Sequence, residues 1–152
     1  DIPVLVSAFG AQATDLAARI GDGFVSTSPD SDLVTRYREA GGEGPALATV
    51  KVCWGRDEET AKKTAHRLWA SSGVPGEASQ ELSVPAHFEQ AAELVTPDQL
   101  AEKIPCGPDP ERHLATIRSY LDAGFDEVHL GQIGDDQAGF LDFFTTELAP
   151  RL

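Results

Sequence analysis

The chain opens on a continuous apolar run, Pro3-Val4-Leu5-Val6-Ser7-Ala8. Runs of this kind fit strands buried on both faces, as in parallel sheets. Phe9-Gly10-Ala11-Gln12 breaks the run, and Ala13 to Ile20 follows with Leu16, Ala17 and Ile20 on one helical face. The same alternation then recurs. Phe24–Thr27 is a short strand, Ser28–Asp32 is rich in helix-capping residues, and Leu33–Ala40 is a helix. Leu47–Trp54, with β-branched Thr49, Val50 and Val52, predicts a third strand, and Asp57–Ala70 predicts a helix with the stripe Ala61, Ala65, Leu68 and Trp69.

The rhythm is interrupted at Ser71–Pro85, a Gly, Ser and Pro segment that reads as a connector or a lid. Two further helices are expected at Ala86–Val95 and Pro97–Ile104, the second announced by Thr96-Pro97, a cap followed by proline at the first helical position. A helix over Glu111–Ala123, a fourth strand over Glu127–Ile133 and a last helix over Asp135–Ala149 complete the pattern. Strands alternating with helices specify a parallel α/β sheet, with right-handed crossovers. Four such units make either an open doubly wound sheet or half of a (β/α)8 barrel, which needs about 250 residues. Asp1 in place of an initiator Met predicts processing, truncation or an omitted segment, and so favours the half-barrel.

Composition narrows the partners. Twelve basic against 25 acidic residues give a net charge of −13. This excludes a basic nucleic-acid face and argues against anionic membrane surfaces. No run approaches the roughly 20 apolar residues of a membrane span. Cys53 and Cys106 lie far apart without a CxxC motif, so a reducing cytoplasm is the expected location. His66, His87, His113 and His129 lack metal-ligand spacing, and no metal site is expected.

In either architecture ligands gather at the carboxyl ends of the strands. Ser7-Ala8-Phe9-Gly10 passes from strand to helix start, where backbone N–H groups and the helix dipole suit an anion; a plain tight turn explains the residues equally well. Ser26-Thr27-Ser28 offers hydroxyls to a ligand, with helix capping by Ser28 or Asp30 as the simpler account. Lys51 lies inside a strand fit for burial and calls for a carboxylate partner. Trp54 is expected to pack, Gln132 to reach toward the pocket, and His129 to face either the helices or the other side.

Longer stretches resemble a known family. Pro3–Gly10 and Ala18-Arg19-Ile20-Gly21-Asp22-Gly23-Phe24 resemble the fifth and sixth strands of the luciferase-like oxidoreductases. Lys51–Gly55, Ala65–Trp69, His87–Val95, Cys106–Pro110, Ala123–Val128 and Leu148–Leu152 look like the deazaflavin-dependent glucose-6-phosphate dehydrogenase branch. The resemblance implies that residues 1–152 are the C-terminal half of a (β/α)8 TIM barrel, strands five to eight with an extra helical insertion. It implies coenzyme F420, with FMN as the alternative, held at Ser7, Ala8, Phe9 and Gly10, where the family usually has Gly-Gly at the positions of Phe9 and Gly10. It places Thr27 at the substrate, and puts Asp30 and Gln90 where sugar-phosphate enzymes have lysines, so an alcohol or another neutral compound is the expected substrate. Hydride transfer is the implied reaction. The implied acid–base residues lie in the first half of the barrel, so the catalytic residues are unknown from this chain. The partner is then the missing N-terminal half or a second copy, giving a homo-oligomer. A non-catalytic half-barrel that self-associates or binds a ligand is the competing reading.

Overall fold

The computed structural model describes residues 2–74 and 81–152. Part of the predicted Ser71–Pro85 connector therefore lies outside the described residues. Four strands, β1 (Leu5–Ser7), β2 (Gly23–Ser26), β3 (Ala46–Val52) and β4 (Glu127–Gln132), form one sheet in the order β1-β2-β3-β4. β1 pairs with β2, and β2 with β3, in parallel. A doubly wound sheet reverses its strand order at a switch point, whereas a barrel adds each strand beside the last. The uninterrupted order therefore resolves the choice left by the sequence in favour of the half-barrel arrangement.

The helices are α1 (Ala11–Ile20), α2 (Ser31–Glu39), α3 (Glu58–Trp69), α4 (Pro85–Ala92), α5 (Pro97–Ala101), α6 (Pro110–Asp122) and α7 (Gln137–Phe143). Among the described residues, α3 to α6 lie between β3 and β4, where a simple unit has one helix. Their starts follow side-chain chemistry. Asp30 caps α2 through Asp32 N at 2.9 Å, Asp57 caps α3 through Thr60 N at 2.8 Å, and Thr96 with Gln99 makes a reciprocal capping box on α5. The predicted last helix does not run through to Ala149. It loosens into a π-turn at Phe144–Leu148 and a 3-10 turn at Ala149–Arg151. The hydroxyls of Thr145 and Thr146 donate to Asp142 O at 3.0 and 2.8 Å, competing for helical acceptors, and Pro150 has no N–H to give.

The chain divides into two compact units. The first comprises residues up to Val50 and Leu114–Gly131. Parallel register places Leu5 beside Gly23, Ser7 beside Val25 and Val25 beside Leu47, so these share one face of the sheet. The opposite face carries Phe24, Ser26, Ala46, Ala48 and Val50, all buried. Phe24 stacks on Tyr37 of α2, centroids 5.3 Å apart, and on Phe125 at 6.0 Å. The first face is more open: Leu5, Ser7 and Thr49 are exposed. In a complete barrel it is the interior. β1 departs from the expectation of burial on both faces, because it is an edge strand: Leu5 is 43% exposed and Ser7 is exposed as well. Asp126 ties the entry end of the sheet, its carboxylate accepting from Ala46 N and from Arg38 Nη2, both at 2.7 Å.

The second unit comprises Lys51–His113 and Gln132–Leu152. Its core gathers Cys53, Ala61, Ala65, Leu100, Ile104 and Cys106 from the exit of β3, α3, α5 and the segment before α6. Trp54 stacks on Phe143 of α7 at 5.7 Å, and the ring of His113 meets Phe143 edge-on at 5.3 Å. Among the described residues, no helix is long and apolar enough to cross a membrane.

Candidate functional site

The exits of β1 and β2 hold the residues expected to bind ligands in the first unit. Ser7 is exposed at the end of β1. Ala8 is buried and its N–H is spent on Val25 O at 3.1 Å, so it has no donor to offer. Gly10 is the N-cap of α1, with φ −149°. That is extended backbone, which any residue adopts, so a positive φ is not the reason for glycine here. Nothing lies within 4 Å of where a Cβ would stand, and the space beside the turn is open. No side chain caps α1 and no acid occupies its first turn. The N–H groups of a helix's first turn have no intrahelical acceptor, and together with the helix dipole they form an anion-binding end. Phe9, 58% exposed, stands beside that end.

At the exit of β2, Ser26 is buried and its Oγ accepts from Ser28 N at 3.3 Å. Thr27 is exposed. Its carbonyl accepts from the hydroxyl of Tyr120 at 2.8 Å, which fixes the backbone from α6. Tyr120 is buried against Phe125, ring centroids 5.9 Å apart, and burial pushes its phenol pKa up. Asp30, capping α2, is the acid nearest Thr27 in sequence.

In the second unit the exits of β3 and β4 frame a cleft of about 280 Å³, lined by Cys53, Trp54, Arg56, Asp57, Thr64 and Asp135 among others. Its rim is acidic. Asp57, Asp135 and Asp136 face one arginine, Arg56. Two of these acids serve as helix caps: Asp57 bonds Thr60 Oγ1 at 2.6 Å, and Asp136 accepts from Gly139 N at 2.8 Å. The Thr60 hydroxyl and N–H hold the Asp57 carboxyl below the usual carboxylate range. Such a cleft favours neutral hydroxyl-bearing or cationic groups over phosphates.

The structure alters two expectations and decides a third that the sequence left open. Among the described residues Lys51 has no carboxylate partner; it is half-buried and its ammonium lies 4.3 Å from the centre of the Trp69 ring, a cation–π contact that leaves the charge partly hydrated. Gln132 does not extend freely into the cleft. Its amide grips the backbone of Trp54, Oε1 accepting from Trp54 N at 2.9 Å and Nε2 donating to Trp54 O at 3.0 Å. His129 is exposed and pairs with Glu127 at 3.2 Å, two residues earlier on the same strand face, so it does not face the helices. Trp54 packs, as expected.

Sequence reasoning missed Tyr120, which no local pattern marks, and the pairing of Cys53 with Cys106 across an isolated parallel bridge. Among the described residues, no three His, Cys, Asp or Glu side chains gather in a way that holds a metal ion.

The profile of the luciferase-like monooxygenases matches residues 1–127. The F420-dependent glucose-6-phosphate dehydrogenase of Nocardia farcinica is 32% identical over 99% of this chain and 48% of its own length. F420-dependent glucose-6-phosphate dehydrogenase 1 of Rhodococcus jostii is 33% identical over 99% of this chain and 49% of its own. The chain thus spans about half the length of the curated relatives it matches. Among solved structures, an F420-dependent secondary alcohol dehydrogenase with an F420-acetone adduct superposes with a TM-score of 0.77 at 21% identity, covering 97% of this chain and 48% of that one. The F420-dependent tetrahydromethanopterin reductase of Methanopyrus kandleri gives 0.70 at 20% identity, covering 99% of this chain and 51% of that one. At these identities the structural matches speak for the fold.

Proposed function

Because the chain belongs to the luciferase-like monooxygenase family, we propose that residues 1–152 are the C-terminal half of an F420-dependent oxidoreductase barrel acting on a neutral alcohol or ketone. The observation that carries this reading is the β1–α1 turn. It combines a helix start free of caps and acids with an open approach at Gly10, and so fits an anionic, phosphate-bearing coenzyme. When bound, the deazaflavin accepts or returns a hydride at one ring carbon. In this chain, the first-turn N–H groups of α1 bind the coenzyme's anion, Ser7 and Gly10 border it, and Thr27 offers a hydroxyl to orient the substrate oxygen. Tyr120 holds the Thr27 backbone through the carbonyl. Acid–base residues belong to the other half of the barrel.

The substrate reading rests on charge. Asp30, which follows Thr27 at the β2 exit, repels a phosphate. The relatives named for glucose 6-phosphate therefore share the frame and coenzyme, while this chain takes an uncharged substrate. The exposed Ile2 and Val4 before β1, and Leu5 within it, call for cover beside the unpaired edge, supplied by an N-terminal half or by a second copy in a cytoplasmic homo-oligomer.

The test is a fluorescence titration of coenzyme F420, with FMN in parallel, into this chain alone and together with a matching N-terminal half. Micromolar binding of F420 to either preparation, with secondary-alcohol turnover in the second, is expected. Preference for FMN, or no binding in both, overturns the reading. Sedimentation showing a stable, monodisperse monomer overturns the association.

A further inference from the structure

We propose that Cys53 and Cys106 form a redox-active dithiol that a small hydroperoxide converts to an intramolecular disulfide. The proposal is independent of the coenzyme reading. The two residues sit opposite one another in a parallel bridge: Cys53 N donates to Pro105 O at 2.9 Å and Gly107 N donates to Cys53 O at 3.0 Å, which centres Cys106 on Cys53. Neighbouring strands lie about 4.8 Å apart. That spacing falls inside the Cα separation of roughly 4.4–6.8 Å which a disulfide spans. Both thiols are free and buried. Each donates its S–H to a backbone carbonyl, Cys53 to Ala61 O at 3.3 Å and Cys106 to Ile104 O at 3.2 Å, and a thiol is a weak donor.

Position and polarity assign the roles. Both side chains are buried, but Cys53 is the one in the lining of the acidic-rimmed cleft, from which an oxidant comes. The neighbouring Cys106 thiol lowers the Cys53 pKa, and the same contact together with burial raises that of Cys106. Cys53 thiolate attacks one peroxide oxygen, the O–O bond breaks, and the departing oxygen leaves as water after taking a proton. The Cys106 sulfur then attacks the Cys53 sulfenic acid, forming S–S and releasing the second water. Two thiols and one hydrogen peroxide give one disulfide and two waters. The product closes the loop that carries α3, α4 and α5, so the oxidation state of the pair sets how freely that insertion moves against the exit of β3.

The experiment exposes the reduced full chain to hydrogen peroxide, then counts thiols after unfolding and maps peptides without reduction. Expected are loss of both thiols, a mass lower by two hydrogens, and one linked pair of peptides containing Cys53 and Cys106. In Cys106→Ser, Cys53 should stop at a sulfenic acid that dimedone traps, and in Cys53→Ser the remaining thiol should react at least about tenfold more slowly than Cys53. Survival of both thiols in the wild-type chain, links only between chains, or oxidation of Cys53 without a link to Cys106 would overturn the proposal. The wild-type result decides it even where a variant folds poorly.

Discussion

Gln132 on β4 holds the backbone of Trp54 at the exit of β3 by both ends of its amide, donating to the carbonyl and accepting from the N–H. Neither strand's own ladder supplies these bonds, so one side chain joins two strand exits at the rim of the cleft. Gln132→Met keeps the volume but orphans a donor and an acceptor. An unpaired buried polar group costs about 1–3 kcal/mol. Urea unfolding should therefore show a loss of about 2 kcal/mol. Wild-type stability in this variant would mean that the clamp is idle.

His113 supplies a pH signature. Its Nε2–H donates to Gly107 O at 3.0 Å while Nδ1, buried, has no partner among the described residues. Burial, ahead of the Gly107 contact, lowers its pKa from the ordinary imidazole value of 6.5. The folded state therefore prefers neutral His113. The stabilisation is complete above pH 6.5 and is lost as the pH falls from there through the lowered folded pKa. Unfolding free energy measured from pH 7.5 down to about 5 should fall more steeply in the wild type than in His113→Gln. Parallel curves would assign the acid sensitivity elsewhere.

Much of this frame was legible beforehand and the rest was not, for physical reasons. β2 and β3 announce themselves because burial demands unbroken apolar runs. Asp30 and Thr96 do so because capping depends on residues a few positions away. Lys51 was misread: a cation in a strand calls for compensation, but the sequence cannot show that a ring 18 positions on, Trp69, provides it. Cys53 and Cys106 meet only through tertiary register, which no spacing rule reports. The turn at Gly10 was legible as a helix start, whereas its extended backbone and the open space beside it are visible only in the structure.

Tyr120→Phe removes the hydrogen bond to Thr27 O while keeping the ring against Phe125. Loss of one such bond costs about 1 kcal/mol, read as a lower urea midpoint. If Thr27 orients the substrate as proposed, the larger effect in the assembled oxidoreductase should fall on KM for the alcohol and not on coenzyme affinity. An unchanged KM with reduced stability would make Tyr120 purely structural.

Phe9→Gly restores the glycine pair of the resembled family beside the open end of α1. Phe9 is 58% exposed, so its removal takes little from the core. Coenzyme F420 affinity, followed by fluorescence, should rise at least about threefold, equivalent to roughly 0.6 kcal/mol. Weaker binding would show that the ring itself contacts the coenzyme.

The Asp126 clamp reaches back to Ala46 across 80 positions, most of them spent between the end of β3 and the start of β4. Loop closure grows only logarithmically with length, each doubling costing about 0.6 kcal/mol. Once the carboxylate has fastened the two strand entries, the intervening stretch is therefore nearly free to lengthen or shrink over evolutionary time. The excursion between the last two strands is the place where descendants of this frame can acquire or shed whole helices while the sheet order stays fixed.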